Sequence, residues 1–137
     1  MAIVKCKGTK LQQTVSAALA DIAQLLSIEH SGSGSITFDS TTLDGGVYKT
    51  VALAGYSNPG TVAAELFFDP ALAGHQAITD NIATPATNAM KIIYADTAAT
   101  NQSFTAAGVE FGVTVAMEDG LKASVTYTVS GDPGWPT

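Results

Sequence analysis

The sequence predicts a mainly β domain: an antiparallel β-sandwich or barrel-like sheet with one short flanking α-helix. Three observations carry this reading. From residue 35 onward the chain is a succession of Thr-rich, β-branched runs separated by Gly, Pro, Asn and Asp. The last run alternates strictly, with Ala123, Val125, Tyr127 and Val129 on one face and Ser124, Thr126, Thr128 and Ser130 on the other, the period of a half-buried strand. Asp119-Gly120 separates that run from the one before it, a strong hairpin signal. At 137 residues the chain is one ordinary domain, 1–137.

Taken in order, the first 10 residues read as an arm, and residues 10–30 carry two conflicting signals. Leu11, Val15, Leu19, Ile22 and Leu26 fall at helical spacing, whereas "AQLLSIEHSGSGS" reads as a strand running into a Gly/Ser loop. "SITFDSTTL", "TVALAGYSNPG" and "TVAAELFFD" are strand-like, and the Gly- and Thr-rich stretch 39–57 is too long for a hairpin turn and is expected as a loop. At Asp69-Pro70 a carboxylate able to cap a helix precedes a proline suited to a first turn. Leu72, His75, Ile78 and Ile82 then follow at helical spacing, predicting one short helix of roughly three turns that Gly74 weakens. "NAMKIIYAD", "SFTAAGVEFGVTVAME" and the terminal strand complete the sheet, and Gly131, Asp132 and Pro133 stop it, leaving 131–137 as a C-terminal arm.

Composition excludes several functions. Only 13% of residues are charged, half the share usual in soluble domains, so the surface is small and neutral, a surface suited to being covered by partners. All six basic residues are lysines against 12 acids, a net charge of -6. Without arginine or a positive field, specific nucleic-acid binding is not expected. The single cysteine, Cys6, permits no intrachain disulfide and reads as a packed or inert thiol. "MAIVKCKGTK" has no signal-peptide stretch, and the longest apolar run is broken by Asp21 and Gln24, so neither a leader nor a membrane span is expected.

No active site emerges. "GYSNPG" at 55–60 has Pro59 where a nucleophile elbow needs its second glycine, and reads as a turn. His30 and His75 lie far apart without a second ligand at helical spacing, so metal binding is not expected, and they read as surface or half-buried imidazoles. Gly32 and Gly34 lack the context of a phosphate loop. Glu118 and Asp119 are neighbours whose side chains diverge on a strand, and they read as the approach to a turn. No catalytic, cofactor or metal residue is assigned.

From about residue 27 the chain resembles the major tail tube proteins of long-tailed, siphovirus-like bacteriophages. The resemblance rests on Thr-Thr-Leu-Asp at 41–44 followed by a long loop with Tyr48, on the glycine-turn-strand of 55–68, on the helix and the strands after it, and on the Val-Ser-Gly-Asp-Pro ending. It implies a small β-sandwich with a flanking helix, assembling into hexameric rings that stack into a tube for DNA delivery. It also implies extended chain over residues 10–30, and it makes 39–57 an inter-ring loop. Asp44, Tyr48, Lys49 and Trp135 are then expected at assembly interfaces, and Glu65, the lone charge in its strand, in the lumen. The implied partners are further copies of this chain and the tape-measure, terminator and initiator proteins, with DNA passing through without specific binding and no membrane contact. The implied location is the virion tail, after assembly in the host cytoplasm; relatives with an extra C-terminal domain are decorated outside, which this sequence does not suggest. The alternative is a small-ligand or carbohydrate-binding β-sandwich, which requires a concave aromatic site.

Trp135, the only tryptophan, sits between Gly134 and Pro136 where chains usually fray. Burying an indole is worth about 2–3 kcal/mol by area transfer, so it is expected against something: a neighbouring subunit, or alternatively its own.

Overall fold

The structure is a computed structural model that describes residues 3–4, 7–15, 18–117 and 120–135, with Val15 described by its backbone alone. Cys6, the Glu118–Asp119 pair and Pro136 lie outside the described residues. Among the described residues nine strands and one helix follow in order: β1 (Lys10–Val15), β2 (Ala18–Asp21), β3 (Leu25–Ser31), β4 (Gly34–Asp39), β5 (Val51–Asn58), β6 (Thr61–Phe67), α1 (Ala73–Ala83), β7 (Asn88–Ile93), β8 (Asn101–Ala116) and β9 (Gly120–Ser130). Seven of them form one antiparallel sheet in the order β2-β1-β7-β8-β9-β6-β3, and β4 and β5 form a separate hairpin.

The long sheet curls back on itself. β2 and β3 are its two outer strands, yet only residues 22–24 separate them in the chain, so its two edges must lie side by side. Side chains meet across the enclosed space: the Tyr127 hydroxyl on β9 donates to Gln13 Oε1 on β1 at 2.8 Å, although β7 and β8 lie between those strands in the sheet. The result is an incompletely closed barrel whose interior is the core of Leu11, Ile22, Val62, Ala64, Leu66, Ile78, Met90, Ile92, Phe104, Ala106, Ala123, Val125, Tyr127 and Val129.

Strand periodicity decides who enters that core. In β9 the alternating residues Ala123, Val125, Tyr127 and Val129 are all buried, as the sequence predicts. In β8 the inward set changes parity: Gln102, Phe104 and Ala106 face in, a bulge intervenes between Ala106 and Gly108, and Val109 and Phe111 face in after it. The extra residue bends the strand, and β8 pairs with β7 through Asn101–Ala106 and with β9 from Thr105 onward.

The described part of residues 10–30 forms β1, β2 and most of β3, with a turn at 22–24, and the helical stripe dissolves. Leu11 and Ile22 are core, while Leu19 and Leu26 are exposed. The sheet's ladder and the burial of Gln13 next to Leu11 override a spacing that the segment shares with a helix.

The helix is present where the spacing places it, with corrected boundaries. Leu72 is the N-cap and offers no capping side chain; Asp69 instead accepts the Ala71 N–H at 3.0 Å in a turn before the helix, and Pro70 lies ahead of the first turn. His75 and Ile78 are buried, but Ile82 stays exposed. Gly74 lies against the turn, where a Cβ would come into ordinary contact with the Asp21 carbonyl at 3.4 Å, so packing does not demand glycine there. His75 fastens the helix by accepting from the Asp69 N–H through Nδ1 at 3.0 Å and donating from Nε2 to the Ala23 carbonyl at 2.8 Å, which holds α1 against the turn joining the sheet's two edges.

The Gln13–Tyr127 bond yields a two-part prediction. Tyr127→Phe leaves Gln13 Oε1 buried without its donor, which should lower stability by about 1–3 kcal/mol, read as a lower urea midpoint at unchanged slope. Burial raises the Tyr127 phenol well above its ordinary value of 10.0, so the native state resists an ionisation that the unfolded chain undergoes. This contribution is therefore fully present below pH 10 and is lost as the pH rises beyond it. The decline in stability above that pH should be shallower in Tyr127→Phe than in the parent.

Candidate functional site

The β4–β5 hairpin stands apart from the barrel, and nearly every residue in it is exposed. The register places Phe38 opposite Ala52 on one face, and Thr37 opposite Leu53 and Asp39 opposite Val51 on the other. Apolar side chains occupy both faces: Phe38 is 54% exposed, Val51 69%, Leu53 72% and Tyr56 78%. Such a two-stranded ribbon is marginal in water by itself, and its outer edges present unpaired backbone groups to any further strand.

The stretch 39–57 comprises the last residue of β4, the connection 40–50 and most of β5. The connection is tied at its base, where the Thr41 hydroxyl accepts the Thr50 N–H at 2.9 Å and the Ser40 N–H donates to the Thr50 carbonyl at 3.0 Å. Thr41 also donates its N–H to Asp39 Oδ1 at 2.9 Å, and hydrogen bonds from Thr41 hold the Asp39 carboxyl below the usual carboxylate range. Beyond that base, Asp44, Tyr48 and Lys49 are all exposed, and so are the apolar Leu43 and Val47. The expected interface residues of the loop thus all lie exposed in the connection beyond its base.

Glu65 lies elsewhere, on the outer face of the sheet. Val62, Ala64 and Leu66 point into the core, while Thr61, Ala63, Glu65 and Phe67 point away from it. The pairing carries that outer face across four strands: Glu29, Ala63, Thr126 and Glu110 make one row, and Ser27, Glu65, Ser124 and Gly112 the next. Small side chains, hydroxyls and three carboxylates cover it, with Lys122 in the following row beside Phe67. Sequence reasoning singled out Glu65 and missed Glu29 and Glu110, because alignment across strands is set by register and not by spacing along the chain.

Trp135 is placed on its own chain. The indole stacks on His30 with ring centres 4.5 Å apart and planes 9° from parallel, donates from Nε1 to the Ser33 hydroxyl at 3.2 Å, and remains 47% exposed. His30 is the centre of this cluster and was not legible as such. The Pro59 carbonyl, 2.8 Å from Nε2, only accepts, so Nε2 carries the proton; Nδ1 therefore accepts from Gln102 Nε2 at 2.9 Å. Gln102, wholly buried, also donates to the Pro133 carbonyl at 2.9 Å and accepts from the Tyr94 hydroxyl at 2.6 Å. Beside the cluster an open cleft of about 410 Å³ runs between the hairpin base and the C-terminal segment, lined by residues that include Ser35, Asn58, Asp132 and Trp135.

The chemistry-bearing residues stay apart. "GYSNPG" is the end of β5 and its turn into β6, where the Asn58 side chain accepts the Gly60 N–H at 3.0 Å, so the strand-to-helix context of a nucleophile elbow is missing. His75 is spent on packing α1. Among the described residues no group of three or more His, Cys, Asp or Glu side chains is arranged to hold a metal ion, and no helix is long and apolar enough to cross a membrane.

No protein-family model and no curated protein matches the sequence. Solved structures do. The chain superimposes on one from the tail of an empty GTA particle, obtained by helical refinement with C6 symmetry, at a TM-score of 0.75 and 12% identity, over 97% of this chain and 98% of that one. It also superimposes on a chain of the anti-feeding prophage (AFP) baseplate, solved by cryo-EM with 6-fold symmetrisation, at a TM-score of 0.66 and 10% identity, over 96% and 93% of the two chains. At such identities the likeness establishes architecture: over nearly its whole length this chain has the fold of chains built into these two six-fold assemblies.

Proposed function

We propose that this protein is a structural subunit of a phage-type tail tube, assembling with further copies of itself into hexameric rings that stack into a conduit for DNA. The observation that carries the reading is the β4–β5 hairpin, with its apolar side chains exposed on both faces and its edges unpaired. Such a surface is an aggregation hazard in a monomer and a joint in a closed ring. The fold shared with a chain of a six-fold tail and a chain of a six-fold baseplate supports the same reading.

In this proposal the hairpin joins neighbouring subunits, and its tip, with Asp44, Tyr48 and Lys49, reaches the adjacent ring. The outer face of β3, β6, β9 and β8 turns toward the lumen. Hydroxyls and small side chains give DNA little to grip there, and Glu29, Glu65 and Glu110, repeated around the ring, repel phosphate. The assembled tube belongs to a virion tail, built in the host cytoplasm and closed by tape-measure, terminator and initiator proteins, and it performs no catalysis. A carbohydrate-binding module is the less favoured reading, because among the described residues Trp135 is the single aromatic side chain lining the cleft, and one of its faces and its N–H are already taken by His30 and Ser33.

Negative-stain microscopy of the purified protein tests the proposal, with rings or tubes expected at raised concentration; a strictly monomeric species under all conditions, including with a tail initiator complex present, overturns it. Leu53→Asp and Phe38→Asp should keep the unfolding free energy of the dispersed chain within about 0.5 kcal/mol of the parent's, as exposed positions do, and abolish assembly. Deleting Asp44 to Lys49 should leave a folded subunit that no longer stacks. Tubes of Glu65→Lys should retain double-stranded DNA at low salt where parent tubes do not, and the difference should fade as salt screens it; equal retention at low salt would exclude a lumenal Glu65.

A further inference from the structure

We infer that Trp135 is an intrachain latch that sets the direction in which the β4–β5 hairpin leaves the barrel. The hairpin is joined to the domain through two short connections, residues 32–33 from β3 and residues 59–60 into β6. Its strands make their extensive contacts with each other, so its orientation is decided at those two connections.

Both connections contain a glycine at positive φ, Gly32 at 79° and Gly60 at 88°. They pass so close together that a Cβ on Gly60 would collide with the Ser31 carbonyl. Glycine supplies this geometry and does not by itself restrain it. The restraint comes from the C-terminal cluster. Trp135 takes hold of one connection through the Ser33 hydroxyl. His30, under the indole, takes hold of the other through the Pro59 carbonyl. One stacked pair of rings therefore grips both hinge points.

The pair is in turn fixed to the barrel. Gln102 on β8 holds His30 and the Pro133 carbonyl with its two N–H groups. Gly134, at φ 76°, packs against the Ser103 backbone so tightly that a Cβ there would overlap it, and its N–H is held by Asp132 Oδ1 at 2.8 Å. The segment after β9 thus reaches Ser33 as a braced strut. A hairpin held in one direction loses less freedom on docking than one that swings, which gives the latch its use under the assembly reading; the latch itself is a property of the single chain.

The test is a distance measurement on the dispersed subunit. In a Cys6→Ser background, nitroxide labels at Leu53→Cys on the hairpin and Glu110→Cys on the outer sheet face report the hairpin's direction by pulsed electron spin resonance. The expected result is a narrow distance distribution that Trp135→Ala broadens about twofold, as hinge release does, with an unchanged urea midpoint for the barrel. Trp135→Phe, which keeps a ring on His30 but loses the Ser33 bond, should broaden it less. A broad distribution before any latch substitution, or a width that Trp135→Ala leaves unchanged, overturns the latch. Assembly is scored separately, without labels. Broadening in a protein whose parent never forms rings supports the latch while defeating the tube reading. A narrow distribution combined with failed assembly in Trp135→Ala overturns the latch and makes the indole an anchor on a neighbouring subunit.

Discussion

The closure of one sheet upon itself governs everything else in this molecule. Three residues link strands at opposite edges of a seven-stranded sheet, so the sheet curls until its edges meet. Curling turns one face of every strand inward, and a chain with 13% charged residues can fill that interior without importing unpaired charge. The polar groups it does enclose are satisfied: among the described residues no buried side-chain nitrogen or oxygen lacks a hydrogen-bond partner. Gln13 and Tyr127 complete each other across the barrel, and Gln102 has three partners, donating to His30 and to the Pro133 carbonyl and accepting from the Tyr94 hydroxyl.

Two subsidiary features follow from the closure. The bulge in β8 lets a single strand serve both β7 and β9 while keeping apolar side chains on the inner face. The helix, stapled through His75 to the turn between the sheet's edges, packs against β1 and β8. Local propensity fixes neither the bulge nor the place where the helix docks. Both answer the geometry of a sheet that has to bend.

What closure leaves outside is equally informative. The β4–β5 hairpin contributes no residue to the core, yet it carries Phe38, Val51, Leu53 and Tyr56 into solvent. A chain selected to remain monomeric would have blunted such a ribbon with charge or proline. The outer sheet face is the opposite case, with hydroxyls, small residues and sparse carboxylates. One molecule thus presents a surface that invites strands and apolar groups, and another that offers almost nothing to hold. The C-terminal cluster lies where the hairpin meets the barrel, so the only tryptophan occupies the one place from which it touches the connection into β4 and, through His30, the connection out of β5.

The sequence by itself determined whatever depends on short-range period and turn chemistry. The alternation of β9, the inward face of β6, the existence of a helix after Asp69-Pro70 and the turn at Ser57–Gly60 all follow from side chains within a few residues of one another. Helical spacing in residues 10–30 misleads, because Leu11 fills the core from β1 and Ile22 from the turn after β2, while Leu19 and Leu26 do not enter it. Of the candidate site, Glu65 and the loop residues Asp44, Tyr48 and Lys49 could be named from pattern and resemblance. Only the tertiary structure decided that Glu29 and Glu110 share a row with two neutral residues between them, that His30 lies beneath Trp135, and that Gln102 braces both. Gln102 and His30 stand 72 residues apart in the chain, and Trp135 stands 102 from the Ser33 it reaches. Those relations are products of strand register and sheet curvature, and neither quantity is encoded in any local run of residues.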